Sequence, residues 1–139
     1  MAKKSTQRTA RFACAAVVAC AVLAATCVLA GRVPDMSSPI RVTDARFLAD
    51  GGSAWLELTD ATGRKIAIGV QGSLERNASD FPVHLQRWYP MFPVPVPVEP
   101  RSEAGRALLE VVDRAGRDGG VDAAHALAPA RVALSRSAQ

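Results

Sequence analysis

Acid–base, nucleophilic and metal chemistry start from histidine, cysteine, serine and paired carboxylates, and this chain holds few of them in useful spacing. Its two histidines, His84 and His125, form neither an H-x-x-x-H nor an H-E-x-x-H pattern, and no cysteine follows Cys27 to complete a metal site. Ser53 stands in Gly52-Ser53-Ala54, a hairpin context unlike the strand-to-helix elbow that a G-x-S-x-G nucleophile needs. Gly69-Val70-Gln71-Gly72 has no helix after it to hold a phosphate, and no G-x-x-x-x-G-K-[ST] loop occurs. Among the carboxylates, Asp60 belongs to a turn and Glu57 has Arg46 to pair with, which leaves Asp44 and Asp80 as two residues without a shared task. The inventory points away from an enzyme, and no metal or other cofactor is expected.

What the chain does offer is aromatic and proline chemistry. In Phe81 to Pro100, FPVHLQRWYPMFPVPVPVEP, the cluster Trp88, Tyr89 and Phe92 stands directly before alternating prolines. Pro90, Pro93, Pro95, Pro97 and Pro100 exclude a helix and deny ladder donors at alternate residues. The arm is therefore extended, either as polyproline II or as a one-sided edge strand. Pro90-Met91-Phe92-Pro93 has the P-x-x-P spacing of a ligand for an aromatic groove, whereas an arm wrapped on a sheet edge would block aggregation and send its aromatics into the core.

The elements that position these residues follow from periodicity. From Ile40 to about Gln71 apolar residues recur every second position, and two turn signals divide the stretch into three strands. Asp50-Gly51-Gly52-Ser53 fits a two-residue hairpin loop, which would set Leu48 opposite Trp55, Phe47 opposite Leu56, Arg46 opposite Glu57 and Ala45 opposite Leu58. Asp60-Ala61-Thr62-Gly63 fits a type I turn followed by a left-handed glycine, which pairs Thr59 with Lys65, Leu58 with Ile66, Leu56 with Ile68 and Ala54 with Val70. One face then carries Ala45, Phe47, Leu56, Leu58, Ile66, Ile68 and Val70, and is expected to be buried. The other carries Trp55 directly across from Gly69, where the indole would shield bare backbone or, with Leu48, form a small contact patch.

Val83 to Trp88 reads as a fourth strand. Ser102 offers an N-cap, and Ala104, Ala107, Leu108, Val111, Val112 and Ala115 form one apolar helical stripe that Gly116 is placed to end. Arg106, Glu110 and Arg114 follow at i,i+4 on the solvated side. Beyond Gly119-Gly120, Asp122 caps a short helix that Pro129 should stop, leaving the last residues as a tail. Asn77-Ala78-Ser79 matches a glycosylation sequon, but heavy use of Ala, and of Arg over Lys, suggests a prokaryotic source in which the match is fortuitous.

The net charge of +4 would suggest a polyanionic partner if it were spread over the molecule. It is not: Lys3, Lys4, Arg8 and Arg11 account for all of it, and from Arg32 onward 13 basic residues balance 13 acidic ones. No nucleic-acid partner is expected. Those four charges precede Phe12 to Ala30, nineteen uncharged residues without Pro or Gly. As a helix this run reaches membrane thickness, with the amino terminus in the cytoplasm. Val28-Leu29-Ala30 before Gly31 is also an acceptable signal cleavage site, and the abundance of Ala favours that alternative. Val17-Val18-Ala19-Cys20 resembles the lipobox of bacterial lipoproteins, although Ala21 to Ala30 stays apolar where a lipoprotein turns polar. Cys14, Cys20 and Cys27 all lie in this segment, so the remainder has no disulfide and depends on packing.

The expectation is therefore a basic cytoplasmic start (1–11), a transmembrane anchor or signal segment (12–30), a linker (31–39), an exported α+β domain (40–118) containing the Pro-rich arm (81–100), and a short helix with tail (119–139). The domain is expected to be a three- to four-stranded antiparallel meander with one packed helix. Its role would be to bind another envelope protein through Trp88, Tyr89, Phe92, Trp55 and Leu48; the alternative is a released periplasmic or secreted module that binds a small ligand or inhibits an enzyme.

Overall fold

Two apolar patterns of different period run through the chain, and the structure separates them into a sheet and a pair of helices. The computed structural model describes residues 14–25, 31–47, 53–71, 83–88 and 93–135, with the backbone alone at 87, 88 and 93. The chain divides into two compact units, Met1–Ala30 and Gly31–Gln139. In the first, residues 14–25 form helix α1, whose side chains are all exposed. Among the described residues no helix is long and apolar enough to cross a membrane. Residues 12, 13 and 26–30 of the expected span lie outside them.

The second unit runs β1 (Arg41–Phe47), β2 (Ala54–Thr59), β3 (Lys65–Val70), β4 (Val83–Trp88), β5 (Pro93–Pro97), α2 (Glu103–Asp118) and α3 (Gly120–Ser135). The strands form one antiparallel sheet in the order of the chain. The α+β class is as expected, but the sheet gains a fifth strand and two helices pack on it, not one. Leu56, Leu58, Ile66, Ile68, Val70, Val83, Leu85 and Val98 meet Leu108, Val111, Val112 and Ala115 of α2 and Ala126, Leu127, Ala130, Ala133 and Leu134 of α3 in one core.

The second hairpin has the expected register, from Thr59 opposite Lys65 to Ala54 opposite Val70. Asp60 builds its turn by accepting from the Thr62 and Arg64 amides at 2.9 and 2.8 Å, and Gly63 takes the left-handed conformation at φ 81°.

The first hairpin differs. Ala45 pairs with Leu56, Arg46 with Trp55 and Phe47 with Ala54, so β1 is displaced two residues from the expected register, and Thr43 bulges between Val42 and Asp44. A two-residue shift keeps every side chain on its own face, which is why apolar patterning did not detect it. The strands end at Phe47 and Ala54, a connection longer than a two-residue loop. Arg46 therefore loses Glu57 and forms an ion pair with Asp44 at 3.0 Å, while Glu57 takes Lys65 at 2.9 Å. Ala45 and Phe47, expected in the core, are exposed. β1 is an edge strand of the sheet.

Residues 31–39 are part of the domain and not a spacer. Met36 is 3% exposed within the core. Its carbonyl accepts from Arg114 at 2.8 Å, the Ser37 amide donates to Asp60 at 3.0 Å, and the Ile40 amide to Asp118 at 3.1 Å.

Helix α2 begins as expected, with the Ser102 hydroxyl accepting the Gly105 amide at 3.0 Å. It passes through Gly116, however, and ends at Gly119, while Gly120 at φ 81° turns the chain. Helix α3 also continues beyond its expected stop, passing through Pro129 to Ser135. Burial of Ala130, Ala133 and Leu134 outweighs the backbone bond that proline removes.

Candidate interaction surface

Strand alternation leaves one face of the sheet turned away from the helices. Its central row follows from the register: Arg46, Trp55, Gly69, His84 and Pro97 are consecutive neighbours across all five strands. The next row is Asp44, Glu57, Ala67, Gln86 and Pro95. Two of its central positions, Ala67 and Gly69, are small, and larger side chains close over them. Trp55 is half-buried, and Ala67 is only 5% exposed although no helix covers it. A methyl at Gly69 would lie 3.5 Å from Gln86 Nε2. The surface thus presents an indole, an amide and an imidazole around a shallow small-residue floor.

Polar bonds fix one end of this face. Lys65 holds the Glu57 carboxyl below the usual carboxylate range, assisted by the Thr43 hydroxyl at 3.0 Å. Thr43 Oγ1 also lies 3.0 Å from Thr59 Oγ1. In the central row, partial burial lowers the His84 pKa and so favours a neutral imidazole at neutral pH. A neutral ring offers both a donor and an acceptor to a partner.

The Pro-rich arm takes the edge-strand form. Val98 N donates to Val83 O at 2.9 Å, and antiparallel ladders alternate, so Val94 and Val96 also turn their backbone groups toward β4. Pro93, Pro95 and Pro97 then occupy the outward positions, where a missing N–H breaks no ladder bond. The side chains of Pro95 and Pro97 share the outer face with Gln86 and His84, which they respectively oppose.

Of the residues expected to meet a partner, Trp55 is placed on this face. Trp88 is paired through its backbone with Pro93, two positions on from Gln86. Leu48, Tyr89 and Phe92 lie outside the described residues, as do Asp80 and the sequon at Asn77. His125 is exposed on α3, away from His84 in the sheet. No three His, Cys, Asp or Glu side chains gather into a metal-holding group among the described residues.

Sequence reasoning did not find His84 and Gln86 as members of the surface. The two hairpin turns set registers only as far as β3, and it is the β3–β4 pairing in the structure that brings His84 beside Gly69 and Gln86 beside Ala67. It also did not find a shallow cleft of about 560 Å³ where β1 approaches the α2–α3 corner, walled by Arg41, Val42, Ala45, Asp118, Gly119 and Ala123 among others. Comparison with family models, with curated proteins and with solved structures finds no match.

Proposed function

We propose that this chain is a membrane-anchored accessory protein of a bacterial envelope, non-enzymatic, which holds its neutral domain outside the cytoplasmic membrane and binds another envelope protein on the uncovered sheet face. The observation that carries this reading is the pairing of an uncharged nineteen-residue run behind four basic residues with a separate, charge-balanced domain. Such a leader directs topology, and the +4 belongs to the leader alone. The described part of that run, residues 14–25, is helical. On the domain, the half-buried Trp55 beside His84 and Gln86 gives a partner apolar area with polar groups at its margin, the usual composition of a contact patch.

Membrane fractionation tests the first half. After alkaline extraction the intact-mass chain is expected in the membrane pellet, and a mature chain beginning at Gly31 in the soluble fraction overturns the anchor. For the second half, Trp55→Ala is expected to weaken crosslinking to the partner while the domain remains folded; undiminished crosslinking overturns the assignment of this face.

The released-module reading retains one specific support: the compact domain starts at Gly31, directly after the candidate cleavage site Val28-Leu29-Ala30.

A further inference from the structure

We infer that β1 is a self-association edge, and that two copies of this chain join β1 to β1, antiparallel, about a two-fold axis at Ala45. Both edges of the sheet bear on this. At β5 the outward positions are Pro93, Pro95 and Pro97, so that edge has no N–H to donate to an added strand along its length. At β1 the groups are available. The Asp60 amide donates to Arg64 O at 3.0 Å, and continuing the alternation through the hairpin makes Leu58–Ile66, Leu56–Ile68 and Ala54–Val70 the bonded pairs. Trp55 and Glu57 therefore direct their backbone groups to β1 and meet Arg46 and Asp44. Ala45 and Phe47, between and beyond them, turn N–H and C=O outward.

Outward groups pair only with outward groups, which leaves few registers. Ala45 against Phe47 would stack the two copies of Arg46 on each other. Phe47 against itself would leave almost all of β1 unpaired. Ala45 against itself sets Asp44 of each copy opposite Arg46 of the other, twice, at the positions where cross-strand side chains approach most closely. The four charges then alternate in sign around the axis. Asp44 and Arg46 already lie within 3.0 Å in one copy, with side chains 39% and 75% exposed.

The same register accounts for the two residues whose exposure breaks the pattern of the buried face. Phe47 is 56% exposed and Ala45 is open to solvent, both on the helix side of β1. Across the axis Phe47 falls diagonal to Ala45 of the second copy, within reach of an aromatic ring. The bulge at Thr43 limits the regular stretch to the residues after it. A contact of that length suits a reversible dimer.

Sedimentation equilibrium of the full chain in detergent tests this. The wild-type chain is expected to dimerise, and Asp44→Arg and Arg46→Asp each to weaken the dimer about tenfold or more, because two facing pairs change from attraction to repulsion. Mixing the two variants is expected to restore dimers, since each introduced charge then faces its opposite across the axis. Neither a change within one copy nor misfolding produces that rescue. As a second measurement, Ala45→Cys in a chain with Cys14, Cys20 and Cys27 replaced by Ser is expected to form an intermolecular disulfide on oxidation, and Thr59→Cys is not. A monomeric wild type, single variants that dimerise undiminished, a mixture without rescue, or equal crosslinking at the two positions overturns the inference.

Discussion

The Ser37 amide donates to the Asp60 carboxylate at 3.0 Å across 23 residues of sequence, and this bond fastens the segment after residue 30 to the β2–β3 turn. Asp60 is buried and also accepts from the Thr62 hydroxyl at 2.7 Å and from the Thr62 and Arg64 amides. These donors, the Ser37 amide first, hold its carboxyl far below the usual carboxylate range. A depressed folded-state pKa gives stability that is complete above the unfolded value near 4 and is lost as pH falls below it toward the folded value. Asp60→Asn is therefore expected to lower the thermal midpoint at pH 7 by roughly 5–10 °C. It should also flatten the loss of midpoint between about pH 5 and 2. A variant whose melting curves follow the wild type through that window would show that the ionised carboxylate is not the anchor.

Two helical glycines are expected to respond in opposite directions. A methyl at Gly105 would lie 2.3 Å from Glu99 O and 2.4 Å from Pro100 O, both backbone atoms. Gly105→Ala must displace the turn that delivers β5 into α2, at a cost on the order of 2 kcal/mol or more. At Gly116 the nearest contact is 3.9 Å away. Gly116→Ala there removes only backbone freedom and should stabilise by about 0.5–1 kcal/mol. Chemical denaturation of the two variants measures both signs, and a stable Gly105→Ala would mean that the helix start yields easily.

The last helix belongs to the core, so the domain should not survive its loss. Leu127 and Leu134 are 2% and 3% exposed, and Ala130 is fully buried. A chain ending at Pro129 would remove Ala130, Ala133 and Leu134 from the core and is expected to give no cooperative thermal transition. Leu108→Ala and Leu127→Ala are each expected to cost on the order of 2–5 kcal/mol in the full chain. A truncated chain that melts cooperatively would return the final residues to the status of a tail.

Sequence patterning succeeded where one cause acted alone. The Asp60–Gly63 turn fixed the β2–β3 register, Ser102 marked the start of α2, and alternation placed Leu56, Leu58, Ile66, Ile68 and Val70 inside. It failed where distant contacts decided the outcome. Gly116 and Pro129 are local stop signals, yet Asp118 holds Ile40, and Ala130, Ala133 and Leu134 fill the core beyond the proline. The spacing of Ala126, Leu127, Ala130, Ala133 and Leu134 is itself helical, so that signal was present and the proline obscured it. At β1, a shift of two conserves both faces, and no pattern of apolar and polar residues reports it. Of the surface, Trp55 opposite Gly69 was legible, but His84 and Gln86 entered only once the fourth strand had a register.

The outward prolines of β5 lead to the final prediction. Pro95 opposes Gln86 at a pair where neither residue bonds across the ladder, so its replacement leaves the β4–β5 bonds intact. Pro95→Val restores an outward N–H and adds a β-branched residue between Val94 and Val96, which turns a blocked edge into one that accepts a strand. The folded variant is expected to melt within about 1 kcal/mol of the wild type, since surface substitutions rarely exceed that. At equal concentration it should nevertheless form larger species, seen as a time-dependent rise in light scattering that seeding accelerates. Pro95→Asp in the same assay should not aggregate, because the restored donor comes with a charge that opposes strand stacking. If Pro95→Val remains as soluble as the wild type, the prolines are not what closes this edge.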